Sequence, residues 1–298
     1  MSRVRSGCRR SFVTALVALA CLMTACRSDA APPSPSPSST AREGLVDIGG
    51  YSLWYACSGT GSPTVILDAG LGAAGSSEWT ELIPALAPLG TTVCTYDRAG
   101  NGLSDARPDG PATTAETAAD ELEALLLAAA VEPPYVIVSH SYGGLVARVF
   151  IDRYPDQVAG AVFEDVSTAW EIDLWPRWDP SPWIDGGVKT DIQETERQVL
   201  LAEPLGDRPT IVVSQTAYDE EGIPPWAGPI FAKQQDKLAA IADDVIHVRI
   251  RNTGHFIHRE HLEVMVEAIA AVLRAVRSNG GLASCASAFT DRSVECVG

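Results

Sequence analysis

From Gly49 onward, short apolar runs alternate with stretches in which apolar residues recur every three or four positions. The short runs read as strands: Tyr51–Tyr55, Thr64–Leu67, Thr92–Tyr96, Val136–Val138, Ala161–Glu164, Thr210–Val213 and Val245–Ile250. Helical spacing covers about Ser77–Ala87, Thr114–Ala130, Tyr142–Tyr154, Pro229–Ile241 and Arg259–Val276. Strand followed by helix, repeated along the chain, predicts an α/β fold: a mostly parallel, doubly wound sheet covered on both faces. The rhythm breaks once, over residues 168–207, where Trp170, Trp175, Trp178 and Trp183 crowd among prolines and acidic residues. This stretch reads as a small cap insertion above the carboxyl edge of the strands, the edge at which open α/β sheets hold their ligands. Its tryptophans either wall a pocket for a small apolar or aromatic group or give the insertion a core of its own.

At 298 residues with 46% hydrophobic content, the chain can bury one large core. Residues 44–277 form the expected domain, with appendages at both ends. Arg3, Arg5, Arg9 and Arg10 precede an apolar run from Phe12 to Met23 that is short for a membrane span, so residues 1–25 read as a secretory signal. Leu22-Met23-Thr24-Ala25-Cys26 resembles a bacterial lipobox with Met23 in place of the usual Leu, which would make Cys26 a lipidated N-terminus. Residues 26–43 are rich in Pro and Ser and suit a disordered tether between a lipid anchor and the domain, an exported arrangement that touches the membrane through the anchor alone. The alternative is an ordinary signal peptide with a disordered leader.

The formal charge of −16 excludes nucleic acid as a natural partner. Of seven cysteines, Cys57, Cys94, Cys285 and Cys296 fall in the globular part and its tail. In an oxidising compartment, Cys57 with Cys94 would join neighbouring strands, and Cys285 with Cys296 would close a short loop in the tail, residues 278–298. Metal binding is the weaker account, because neither C-x-x-C nor H-E-x-x-H spacing occurs.

The stretch Tyr135–Phe150, YVIVSHSYGGLVARVF, changes this picture most. An apolar strand passes through Ser139-His140-Ser141-Tyr142-Gly143 into helical spacing, so Ser141 sits at the apex of a tight strand-to-helix turn and should be strained. The pattern resembles the nucleophile elbow, G-x-S-x-G, of the α/β-hydrolase superfamily, with Ser139 in the place of the first glycine. That resemblance implies the α/β-hydrolase fold and a serine nucleophile at Ser141, followed in chain order by an acid and a histidine.

The loop Asn252–His258 offers His255 as base, after Gly254 and just before the last long helix. His258 is the competitor, placed at a helix start as a capping or solvent-facing residue. Two aspartates end strands where the superfamily places its acid, Asp165 and Asp219. Apolar strand residues frame Asp165, whereas Asp219 opens an acidic run, so burial favours Asp165 with Asp219 as the alternative. The Tyr142 amide and the Leu71 amide would form the oxyanion hole; Asp68-Ala69-Gly70-Leu71-Gly72 resembles the family's H-G-x loop with Ala69 for His. The segment Tyr96–Asp105 also resembles a recurrent superfamily element made of a strand end, an ion pair and glycine turns.

The implied activity is hydrolysis of carboxylic esters, or of a similar acyl bond, through an acyl-enzyme, with no cofactor and no metal. A serine at the apex argues against the aspartate-nucleophile dehalogenases and epoxide hydrolases. An aminopeptidase, thioesterase or lyase would keep the same triad, and a ligand-binding or receptor-like module on a retained scaffold is the alternative from another functional class.

Overall fold

The computed structural model describes residues 41–171, 181–218 and 223–297. Cys26, Trp175, Trp178 and Asp219 lie outside the described residues.

The main sheet contains β1 (Arg42–Asp47), β2 (Ser52–Ser58), β3 (Thr64–Asp68), β4 (Val93–Tyr96), β5 (Tyr135–His140), β6 (Val158–Glu164), β9 (Thr210–Ser214), β10 (Val245–Ile250) and β11 (Val294–Val297). Its nine strands run in the order β1-β2-β4-β3-β5-β6-β9-β10-β11. From β4 to β10 all pairs are parallel, and both flanks are antiparallel. Side chains of a strand alternate between faces, and the core divides accordingly. Ile66, Ile137, Phe163 and Val212 face one apolar layer with α3 (Ala115–Ala128) and α4 (Gly143–Arg153). Val65, Leu67, Val136, Val138, Val162, Ile211 and Val213 face the other, with α2 (Leu82–Leu86) and α8 (Leu262–Ser278). The expected doubly wound architecture is present.

Several boundaries differ from the sequence pattern for identifiable reasons. The helix expected over Ser77–Ala87 is two short ones, α1 (Gly75–Glu78) and α2. Pro84 cannot donate to the Thr80 carbonyl one turn back, and its ring crowds that carbonyl. The last helix is likewise divided, into α7 (Ile257–Glu260) and α8. β1 starts at Arg42, slightly before the expected domain start, and its alternation of exposed and half-buried residues hides it from an apolar search. Residues 278–297 add to the sheet. α9 (Cys285–Ala288) and β11 close the sheet beside β10, with Ala288 and Phe289 buried in the second apolar layer.

The insertion over 168–207 carries a 3-10 turn at Ala169–Glu171, a hairpin of β7 (Ile184–Asp185) and β8 (Val188–Lys189), and α5 (Ile192–Leu201), which packs on α3 and α4. Both expected disulfides, Cys57–Cys94 and Cys285–Cys296, are formed.

Candidate active site

β5 ends at His140 and α4 begins at Gly143, leaving two residues to reverse direction. Ser141 takes the left-handed conformation, φ 53°, that L-residues avoid. It is held there from both sides: its N–H donates to the Glu164 carbonyl at 3.3 Å, and its own carbonyl accepts from Gly144 at 3.0 Å and Ser167 at 2.9 Å. Gly143 and Gly144 are required by close approach. A Cβ on Gly143 would lie 2.7 Å from the Asp68 carbonyl oxygen, and one on Gly144 would lie 2.3 Å from the Val166 side chain. Ser139, opposite Asp68 on β3 and Phe163 on β6, fits without a glycine, but its buried hydroxyl has no hydrogen-bond partner.

Asp165 follows β6 directly and is also left-handed, φ 40°. Its carboxylate is almost fully buried and accepts from the Gln215 amide N–H at 3.1 Å and Gln215 Nε2 at 2.7 Å. His255 Nδ1 lies 2.6 Å from Asp165 Oδ2. A carboxylate so supplied with donors accepts, so Nδ1 carries the proton and Nε2 is the basic nitrogen. Ser141, Asp165 and His255 line one cavity of about 80 Å³. Its apolar wall is Val166, Tyr218, Ile223 and Phe231.

Of the four expected tryptophans, the two among the described residues, Trp170 and Trp183, do not line this cavity. Trp170 lines a separate cavity behind α4, with Lys237 over its ring at 5.4 Å, and Trp183 packs edge-on against Tyr142. α6 (Gly228–Ala239) instead supplies Phe231 to the site.

The loop after β3 is shaped by Arg98. Its buried guanidinium donates to Asp68 Oδ1 at 2.7 Å, to the Ala69 carbonyl at 2.7 Å, to the Gly70 carbonyl, and through Nε to Asp185 Oδ2 at 2.8 Å. In a trans peptide the carbonyl and the next N–H point opposite ways. Fixing the Gly70 carbonyl toward Arg98 therefore turns the Leu71 N–H away from it. The ion pair expected within Tyr96–Asp105 is thus made outward: Arg98 pairs with Asp68 and Asp185. Asp97 instead accepts from Ser76 and from the Leu103 amide. Burial raises the Asp68 carboxyl to about 6 even beside Arg98. Burial also works against Asp185, but Arg98 and the Gly72 and Asn101 donors outweigh it and hold that carboxyl below its ordinary value.

Beneath the site lie two histidine–glutamate pairs. His140 Nδ1 meets Glu78 Oε1 at 2.9 Å, and His258 Nδ1 meets Glu164 Oε1 at 2.8 Å. His258 is therefore buried, in contrast to the exposed or capping position expected for it. Glu164 also accepts its backbone N–H at 2.7 Å, which anchors the start of α7. Trp79 tilts against the His258 ring at 4.7 Å. Glu78, Gln215 and Phe231 escaped the sequence reading. The one hint for Glu78 was its place immediately before the large apolar Trp79. Among the described residues no group of His, Cys, Asp or Glu could hold a metal ion.

The sequence profile described as "alpha/beta hydrolase fold" matches residues 63–183. Protein YqjL of Bacillus subtilis, whose function is uncharacterized, is 36% identical over 229 residues, covering 71% of this chain and 83% of that protein. Esterase PIR7B of Oryza sativa is 38% identical over 85 residues, 28% of this chain and 32% of the esterase. The chain spans 22% and 31% of the length of two other curated relatives it matches. Among solved structures, a thermophilic esterase from Thermogutta terrifontis superposes with a TM-score of 0.57 at 20% identity, covering 79% of this chain and 99% of that one. With a relative matched over most of its length and a profile that spans the elbow, the chain belongs to the α/β-hydrolase superfamily.

Proposed function

We propose that this hydrolase cleaves carboxylic esters of short acyl groups through an acyl-enzyme on Ser141. The supporting observation is the 2.6 Å contact of Asp165 with His255 in the same cavity that Ser141, held at φ 53°, also lines. In this reading His255 Nε2 takes the Ser141 Oγ proton as Oγ attacks the ester carbonyl. The Leu71 and Tyr142 amides hold the resulting oxyanion, Tyr142 with the help of the positive end of α4. His255 then gives the proton to the departing alcohol oxygen, and water, activated by the same nitrogen, releases the acid and restores Ser141. Asp165 keeps the imidazole in one tautomer and stabilises its cation.

The small, mostly apolar cavity suits a short acyl chain. A wider cleft of about 820 Å³ shares Gln215, Tyr218 and Ile223 with it and would receive the alcohol. A fluorophosphonate probe should label the wild type, and Ser141→Ala should abolish both labelling and ester turnover, a loss on the order of 10⁵-fold or more. An unlabelled, folded wild type would sink the assignment. A series of p-nitrophenyl esters should favour the shorter acyl chains.

We further infer that the protein is exported and lipid-anchored at Cys26. Two disulfides suit an oxidising compartment, and no helix among the described residues is long and apolar enough to cross a membrane. Cys26→Ser should move the protein from the membrane fraction to the medium; retention of that variant in the membrane fraction counts against the anchor.

A further inference from the structure

Acyl transfer needs Ser141, His255, Asp165 and two amides, but His140, the residue before the nucleophile, is engaged at both ring nitrogens. Nδ1 lies 2.9 Å from Glu78 Oε1, and Nε2 lies 3.0 Å from the His255 carbonyl oxygen. Glu78 in turn accepts the Gly70 N–H at 3.1 Å. Contacts therefore run unbroken from Gly70 through Glu78 and His140 to the backbone of His255, passing beneath Ser141. The two ends belong to loops after β3 and β10, which the sheet separates by β5, β6 and β9.

Hydrogen-bond accounting fixes one proton. A carbonyl only accepts, so His140 Nε2 is a donor. Burial by itself would raise the Glu78 carboxyl, but the His140 hydrogen bond and charge, with the Gly70 N–H, outweigh burial and leave it below its ordinary value. His140 is thus held at both ring nitrogens, donating through Nε2 to the His255 carbonyl and meeting Glu78 Oε1 through Nδ1. The packing leaves it little freedom. Its ring lies 4.5 Å from the His255 ring, 5.2 Å from His258 and edge-on to Trp79. A Cβ on Gly70 would lie only 3.3 Å from Nδ1.

We propose that Glu78 and His140 are positioning residues for acyl transfer: a buried glutamate–histidine strut that fixes the oxyanion loop relative to His255, holding Gly70 N–H at one end and His255 C=O at the other. The proposal rests on the serine-hydrolase reading. Neither residue touches substrate. Stability alone explains the pair poorly, since a buried polar pair is often replaceable by apolar residues of like volume at no cost. The site has a stricter requirement, because displacement by about 1 Å can cost on the order of 100-fold in rate.

Two amide variants separate the ends of the strut. The side chain of His140→Gln carries an N–H to about the place of Nε2 and keeps the His255 bond; that of His140→Asn reaches only toward Glu78. With active sites counted by fluorophosphonate, kcat per site should fall about 10- to 100-fold in both variants, because either one breaks the strut, with KM within about 2-fold. Independently of turnover, the His255 and Phe256 amides should exchange with deuterium about 10-fold faster in His140→Asn than in His140→Gln. A kcat within about 5-fold of the wild type in either variant, equal exchange in the two, or a loss confined to KM, would overturn the strut. A wild type that neither labels nor hydrolyses esters removes the hydrolase reading instead, and the exchange comparison still decides the strut. Should neither His140 variant fold, Glu78→Met takes over: a roughly 10-fold lower kcat at constant KM supports the strut, and an unchanged kcat refutes it.

Discussion

Asp165 shows how one side chain can be committed to one task. Left-handed at φ 40°, it stands beyond the end of β6, where both carboxylate oxygens receive donors from Gln215 and Oδ2 also faces His255. In Asp165→Asn, the amide that replaces Oδ2 would donate toward Nδ1 and push the imidazole proton onto Nε2, removing the base. We expect kcat to fall on the order of 10³- to 10⁴-fold with the melting temperature little changed. Ester kinetics together with a thermal melt check this; a loss under about 10-fold in a folded variant would return the acid's role to Asp219. Ser139 makes the opposite kind of case. Its buried hydroxyl has no partner, so Ser139→Ala removes an unsatisfied group without altering the strand, and should raise stability by about 1 kcal/mol in denaturant titration.

At the level of elements, β5 and α4 were legible because the signal is local: the apolar run, the apex serine and the paired glycines sit within sixteen consecutive residues, and the strain at Ser141 follows from chain geometry. Asp165 and His255 were legible as strand-end and loop residues, but only the fold brings them together across 90 positions. Glu78 with His140, or Arg98 with Asp185, carried no such signal, because a buried polar pair 62 or 87 residues apart reads in sequence as two ordinary surface groups. β10 hides another such contact. His247 lies in that strand with Nε2 3.0 Å from Ser214 Oγ on β9 and Nδ1 3.3 Å from Asp236 on α6, which Arg249 also engages. Burial outweighs the attraction of Asp236 and lowers this imidazole to about 4. A histidine whose folded value lies below its ordinary 6.5 favours the neutral form in the fold. Its contribution is complete above pH 6.5 and is lost as pH falls toward 4, by roughly 2–3 kcal/mol at pH 4.5. Denaturant unfolding at pH 7 and pH 4.5 should show that excess loss in the wild type relative to His247→Gln, in which every other titrating group, Asp68 included, is retained. Parallel losses in the two proteins would rule out His247 as the source.

Across the whole molecule, the candidate catalytic residues and the covalent reinforcement occupy different parts of one sheet. The parallel centre, β3 through β10, carries Ser141, Asp165 and His255 at its carboxyl edge. The antiparallel flanks carry the disulfides, Cys57–Cys94 between β2 and β4 and Cys285–Cys296 between α9 and β11. β11 is an edge strand with one unpaired side, so Cys285–Cys296 secures a part of the sheet that frays readily, whereas Cys57–Cys94 joins β2 and β4, which are paired on both sides. Separations of 37 and 11 residues correspond to about 4 and about 3 kcal/mol of lost unfolded-state freedom. The two bonds should nevertheless differ in accessibility. Cys57 and Cys94 are buried, at 3% and 4% exposure, whereas Cys296 is exposed and Cys285 half-buried. Under mild reductant in native buffer, alkylation and mass spectrometry should find Cys285 and Cys296 modified first, with Cys57 and Cys94 protected until the sheet opens. The singly reduced protein should melt several degrees lower while keeping its kcat, because neither α9 nor β11 supplies a residue to the cavity. Loss of turnover in step with the first alkylation would instead mean that the β10–β11 flank sets the position of the loop that carries His255.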